Sequence, residues 1–171
     1  HIHMKILKFG GTSVGSPARM KEVCKLITDG EQKVVVLSAM SGTTNSLVEI
    51  ADYIKKGNPE AANNVVNKLR RLYSAHLVEL FSTGKMLDET RKLVNGIFMH
   101  IHDLAMGAYT ESVEKEILAQ GELISTNMVT NYLLELGVKV KLIPALDYMR
   151  IDEKGEPNLP YIKQHNAEIL K

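Results

Sequence analysis

Cysteine is nearly absent: one residue, Cys24, among 171. That excludes an internal disulfide framework and suits a reducing compartment, hence a cytoplasmic protein. Cys24 shares an i, i+3, i+4, i+7 set with Met20, Val23 and Ile27, so it reads as a small buried hydrophobe rather than a nucleophile. An excess of one charge is also missing. The 21 Lys and Arg against 20 Asp and Glu leave a formal net charge of +1. With no basic tract and no interleaving of aromatic and basic residues, this balance argues against nucleic-acid or membrane binding through bulk electrostatics. No run approaches the ~20 apolar residues of a membrane-spanning helix, and no signal-peptide pattern opens the chain. His100 and His102 stand two apart and so point to different sides of a helix, while His76 and His165 are isolated. No cluster has zinc spacing and no Ser-His-Asp pattern offers itself, so no protein metal site is expected.

What is present is an ordinary soluble composition, 44% apolar and 24% charged. The length suits one domain with a sizeable core. His1-Ile2-His3 read as an appended tail before a natural start at Met4. Residues 4–9 (MKILKF) predict a short strand and residues 10–16 a loop. Ser16-Pro17 then supply the N-cap and first position of a helix over 17–29 that stops at Gly30. Residues 33–37 (KVVVL) have the continuous β-branched character of a strand covered on both faces. Residues 38–45 (SAMSGTTN) form a second polar loop. Leu47, Ile50, Ala51 and Ile54 mark the next helical face, closed at Gly57-Asn58-Pro59. Strand, loop and helix twice over predict an α/β fold with a mainly parallel sheet.

Over residues 59–118 the pattern becomes helical. Val65, Leu69, Leu72, Tyr73 and Leu80 predict one face; Val94, Ile97, Phe98, Ile101, Leu104 and Ala105 predict another, with a break near Ser82-Thr83-Gly84. This helical excursion reads as a lid or side subdomain. A long helix is expected over about 111–136, ending at Gly137, then a strand over 138–143 (VKVKLI) followed by Pro144. Residues 152–160 are turn-rich, and 162–171 read as a helix that starts and is cut off.

Three stretches could carry chemistry. The first, KFGGTSVGS from Lys8, lacks the order of a Walker A loop and the spacing of a dinucleotide fingerprint. Its glycines nevertheless allow close backbone approach, the following helix adds partial positive charge, and Lys8 sits at a strand's carboxyl end. On spacing alone, a phosphate cradle and a solvated lysine before a tight turn both stand. In the second loop, hydroxyls at a helix start suit a carboxylate or phosphate, or simple N-capping by Thr43 or Thr44. In the third stretch, Gly121 lies inside a helix at a cost of ~1 kcal/mol against alanine. That implies close approach of a backbone or ligand, and Glu122 beside it could bind an ammonium group. The alternative is a packing glycine beside a surface glutamate.

Taken together, Lys8-Phe9-Gly10-Gly11-Thr12-Ser13, then Val36-Leu37-Ser38-Ala39 with Thr44-Asn45, then Gly121-Glu122 with Ser125, resemble the amino acid kinase family and, within it, the aspartokinases. The resemblance spans nearly the whole chain from Met4, and KFGGTS is its most specific motif. It implies a three-layer α/β/α fold of the carbamate-kinase-like kind and ATP-dependent phosphorylation of the L-aspartate β-carboxylate, the entry to lysine, threonine and methionine synthesis. By position it implies that Lys8 is catalytic and contacts the transferring phosphate, with Gly10, Gly11 and Ser13 lining the phosphate pocket. Ser38, Ala39 and Thr44 would hold aspartate, and Glu122 its α-amino group. The implied cofactors are ATP and Mg2+, the metal bound through the phosphates, and the intact enzyme is expected to be a homo-oligomer. The family's later glycine-rich stretch, nucleotide-binding segments and regulatory domains have no counterpart in residues 4–171. The chain therefore reads as the amino-terminal part of a kinase domain and is expected to be inactive alone. Two other readings are a family member acting on glutamate, acetylglutamate or a nucleotide, and a non-catalytic binding or assembly module of the same fold.

Overall fold

The structure, a computed structural model, describes residues 5–140. The predicted features at 144, 152–160 and 162–171, with His165, lie outside the described residues, as does half of the predicted strand over 138–143; its described residues 138–140 are not in a strand. Seven elements follow in order: β1 (Lys5–Phe9), α1 (Pro17–Ile27), β2 (Lys33–Leu37), α2 (Thr43–Lys55), α3 (Pro59–Leu80), α4 (Gly84–Ala105) and α5 (Glu111–Glu135). β1 and β2 pair in parallel, with Lys5 opposite Lys33 and Phe9 opposite Leu37. Both strands therefore end at one level, and the loops after them leave the same sheet edge, where α/β sheets place their ligands.

α1 begins as the sequence predicts, with Ser16 as N-cap and Pro17 in its first turn. It ends at Ile27 rather than Asp29, because Thr28 leaves helical geometry at ψ +49° as the C-cap, its N–H and hydroxyl donating to the Cys24 carbonyl (3.2 and 2.7 Å). Met20, Val23, Cys24 and Ile27 are all buried, and burial pushes the Cys24 thiol up to about 12, so it stays protonated and inert. At the opposite end of the sheet from the loops, Lys33 is buried and its ammonium pairs with the Asp29 carboxylate. That hydrogen bond, helped by the Glu31 N–H, holds the Asp29 carboxyl below its usual range.

α3 and α4 make up the helical excursion, which ends at Ala105 rather than 118, because residues 111–118 already belong to α5. The buried face of α3 runs Ala62, Val66, Leu69, Tyr73, Leu77, Leu80, in steps of three or four residues. Leu72, predicted on this face, is half exposed, and Val65 is only partly covered. Each lies one position from the buried row, a rotation of about 100° around the helix. On α4, Val94, Ile97, Phe98, Ile101 and Ala105 are buried as predicted, with Leu104 at the margin. The turn between the two helices is tied to the last turn of α5. There, Glu135 Oε1 accepts from the Ser82 N–H (3.0 Å), the Thr83 N–H (2.8 Å) and the Thr83 hydroxyl (2.9 Å). α5 packs against both α4 and α2 and reaches β2, so its middle is carried back to the loops at the strand ends. No helix among the described residues is long and apolar enough to cross a membrane.

Candidate active site

The first loop turns immediately after β1. The N–H groups of Ser13 and Val14 both donate to the Gly10 carbonyl (3.0 and 3.3 Å), which buries Val14 and leaves Gly10 and Ser13 exposed. Lys8 is exposed just before this turn. No carboxylate among the described residues lies within ion-pair distance of it. Gly11 faces the second loop so closely that a Cβ there would sit 2.9 Å from the Ala39 carbonyl oxygen. Two backbone hydrogen bonds lace the loops together, Ser38 N–H to Phe9 C=O (2.9 Å) and Ser41 N–H to Gly11 C=O (3.1 Å). Gly11 thus serves a close backbone approach, whereas a Cβ at Gly10 would meet nothing within 4 Å.

α5 closes the third side. A Cβ at Gly121 would lie 2.8 Å from Ala39 Cβ and 3.1 Å from Leu47 Cδ1, and the Ser125 hydroxyl donates to the Ser38 carbonyl at 2.7 Å. Gly121 is therefore a packing notch, one of the two readings its sequence leaves open. Its neighbour Glu122 is brought to the loops by that packing and emerges exposed. Partial desolvation holds the Glu122 carboxyl above its usual value. Ala39 lies between Gly11 on one side and Gly121 on the other, so the three sequence stretches meet around it.

The two helix starts differ. Ser16 Oγ accepts the Arg19 N–H (3.2 Å) and caps α1. The residue that caps α2 is neither Thr43 nor Thr44, as N-capping would require, but Gly42, which has φ +86° and no side chain to offer. A left-handed φ at this position is what admits glycine and disfavours the usual capping residues. The Thr43 hydroxyl turns inward to Tyr73, while Thr44 stays exposed. The N–H groups of Thr44 and Asn45 have no partner among the described residues, so the partial positive end of α2 stays open.

Chemically, the edge presents a cation at a strand end, an open helix N-terminus with a free hydroxyl, and a carboxylate. Such a set suits a phosphate together with a small zwitterion carrying an extra anionic group. His100 and His102 take no part: His100 Nε2 meets Glu116 Oε1 (2.7 Å) and His102 Nδ1 meets Asn63 Oδ1 (2.6 Å), on α5 and α3 respectively. Two further residues touch the loops without a motif to announce them. Arg19 donates to the Thr12 carbonyl at 3.0 Å, and Tyr73 reaches Thr43 from α3. A tyrosine on a buried stripe signals a need for a polar partner, but nothing in the sequence says which.

Comparison with known proteins gives a consistent result. The family model for the amino acid kinase family matches residues 3–170. Aspartokinase 2, chloroplastic, of Arabidopsis thaliana is 33% identical over 153 residues, covering 83% of this chain and 26% of that protein. Lysine-sensitive aspartokinase 3 of Escherichia coli (strain K12) is 27% identical over 158 residues, covering 90% of this chain and 34% of the relative. The crystal structure of E. coli aspartokinase III in complex with aspartate and ADP superposes with a TM-score of 0.73 at 25% identity, over 96% of this chain and 37% of that one. The chain thus spans about a quarter to a third of the length of the relatives it matches.

Proposed function

The chain belongs to the amino acid kinase family, and from that premise we propose that it carries the amino-terminal part of an aspartokinase catalytic domain. The proposed reaction transfers the γ-phosphoryl group of ATP to the β-carboxylate of L-aspartate, giving 4-phospho-L-aspartate for lysine, threonine and methionine synthesis. The observation that carries this reading is the meeting of the three loop and helix segments around Ala39, with Lys8, Thr44 and Glu122 all left exposed and unspent. The aspartokinase relatives support it, and the solved neighbour is itself a complex with aspartate and ADP.

Aspartate's carboxylate is already ionised at neutral pH and needs no strong general base. The barrier lies in bringing two anions together and stabilising charge on the moving phosphoryl group. In the proposed division of labour Lys8 supplies the positive charge, and the turn at Gly10, Gly11 and Ser13 lines the phosphate. Ser38, Ala39 and Thr44, with the open start of α2, hold the substrate's carboxylates, while Glu122 binds its ammonium. The ammonium contact would separate an amino acid from a plain dicarboxylate. Among the described residues there is no cluster of three metal-ligating side chains. Mg2+ is proposed to enter with the nucleotide, bound through its phosphates, and would supply charge neutralisation there. A reducing, cytoplasmic setting fits the buried Cys24 thiol, and a homo-oligomer is proposed from the resemblance alone.

The test is aspartate-dependent acyl phosphate formation, trapped with hydroxylamine as the hydroxamate, in the full kinase polypeptide carrying this segment. Glutamate, acetylglutamate and a nucleoside monophosphate run alongside as competing acceptors. Aspartyl hydroxamate alone is the expected product. Preference for another acceptor would move the chain elsewhere in the family, and no turnover with any would favour a binding module. The 171 residues by themselves are expected to show no turnover.

A further inference from the structure

Tyr73 is fully buried on α3, thirty positions beyond Thr43 in sequence, yet its hydroxyl lies 2.6 Å from Thr43 Oγ1. The ring is fixed on two sides: it meets His76 edge-on at 5.8 Å between centroids and Phe98 at 5.6 Å. Thr43, also buried, is the first residue of α2 and immediately precedes Thr44. Its methyl group faces Gly121, 3.5 Å from where a Cβ would stand. Gly42 gives α2 no side-chain cap, so the Tyr73–Thr43 bond is the polar side-chain anchor of that first turn.

We propose that Tyr73 is a positioning residue of the aspartate site: through Thr43 it fixes the first turn of α2, so that the Thr44 hydroxyl and the free N–H groups of Thr44 and Asn45 keep one orientation toward the substrate. The inference rests on the proposed aspartokinase reading. It gives the helical excursion a part in the site, because α3 carries the anchor. Burial pushes the Tyr73 hydroxyl up to about 12 against the lowering effect of Thr43, so the anchor stays protonated throughout the physiological range. Both side chains are buried, so either hydroxyl would be orphaned by loss of the other, and an orphaned buried hydroxyl is costly.

The experiment compares Tyr73→Phe, Thr43→Val, Thr43→Ser and the Tyr73→Phe/Thr43→Val pair in the full kinase polypeptide. It reads KM for aspartate, KM for ATP, kcat, and amide hydrogen exchange at Thr43 and Ser46, whose N–H groups donate to the Met40 and Gly42 carbonyls at the start of α2. Tyr73→Phe and Thr43→Val should each raise KM for aspartate about tenfold while KM for ATP moves less than about twofold. Both should speed exchange at Thr43 and Ser46. The double variant should be no worse than either single one, and Thr43→Ser, which keeps the hydroxyl, should restore both readouts. Wild-type KM for aspartate and wild-type exchange in Tyr73→Phe would overturn the inference. Should Tyr73→Phe fail to fold, Thr43→Val decides the same question from the other side of the bond. If the unaltered enzyme phosphorylates a different acceptor while exchange still responds, the aspartate assignment fails and the anchoring of α2 stands.

Discussion

The loops after β1 and β2 leave the same edge of a parallel sheet, and each opens a helix, yet they end differently. The β1–α1 loop closes on itself. Its turn uses the Gly10 carbonyl twice, and Ser16 caps the helix it leads into. The β2–α2 loop stays open at its helix, because Gly42 has nothing to cap with and Thr43 faces the core. One loop therefore supports an exposed cation at its strand end, Lys8, and the other exposes the donors of a helix N-terminus. A pair of anions needs both kinds of surface side by side, and the hydrogen bonds from Ser38 and Ser41 hold them so.

The contrast can be broken most strongly at Lys8. Lys8→Ala should lower kcat of the full polypeptide by about 10²–10³-fold, the usual scale for losing one preorganised electrostatic contact to the transition state. Thermal stability should not change, since the side chain is exposed and without an ion-pair partner among the described residues. A folded variant retaining near-normal kcat would remove the first loop from catalysis. Gly121→Ala attacks the second loop from behind. The gain in helix propensity, about 1 kcal/mol, opposes an overpacking cost of about 1–3 kcal/mol. Ala39 Cβ, 2.8 Å from the new methyl, cannot swing away as a long side chain could. Net destabilisation in thermal melts and a raised KM for aspartate are expected; a stabilised enzyme with normal KM would show that α5 has room to shift.

Ser16→Ala sharpens the contrast instead. Losing this cap should cost about 1 kcal/mol and lower Tm by roughly 3 °C, with KM for both substrates unchanged. An altered KM for aspartate would mean that the first helix start is not purely structural. The smallest effect is a pH dependence. Desolvation raises the Glu122 pKa, so its carboxylate is lost sooner on acidification than that of an exposed glutamate. KM for aspartate should rise as pH falls through the range just above the ordinary glutamate value, and Glu122→Gln should abolish that limb. The stability sign is opposite. A carboxyl with a raised folded pKa binds its proton more tightly in the folded state, so its contribution is present at low pH and fades as pH rises through that value.

Much of this was legible beforehand because the signals are local. Ser16-Pro17 marked the start of α1, KVVVL marked β2, and the order of the three motifs placed the candidate residues on the loops and on α5. Misreadings arose where a neighbour decides. Leu72 looked as apolar as Leu69, but α3 turns its Ala62–Val66–Tyr73 row inward and leaves Leu72 half exposed. N-capping by Thr43 or Thr44, one of two readings of those hydroxyls, is excluded because Gly42 takes the left-handed conformation and occupies that position.

Residue order alone determined the parallel strand–loop–helix pairs, the helical excursion and the identity of the exposed charged groups, since periodicity, caps and glycines act within a few residues. Tertiary structure decided which of them meet. The notch at Gly121, the lacing of Gly11 to Ser41, the Ser125–Ser38 bond and the Tyr73–Thr43 anchor join residues 30 to nearly 90 positions apart. Such contacts exist only once helices pack at van der Waals distance, and no local pattern encodes which partner a buried hydroxyl or a missing Cβ will find.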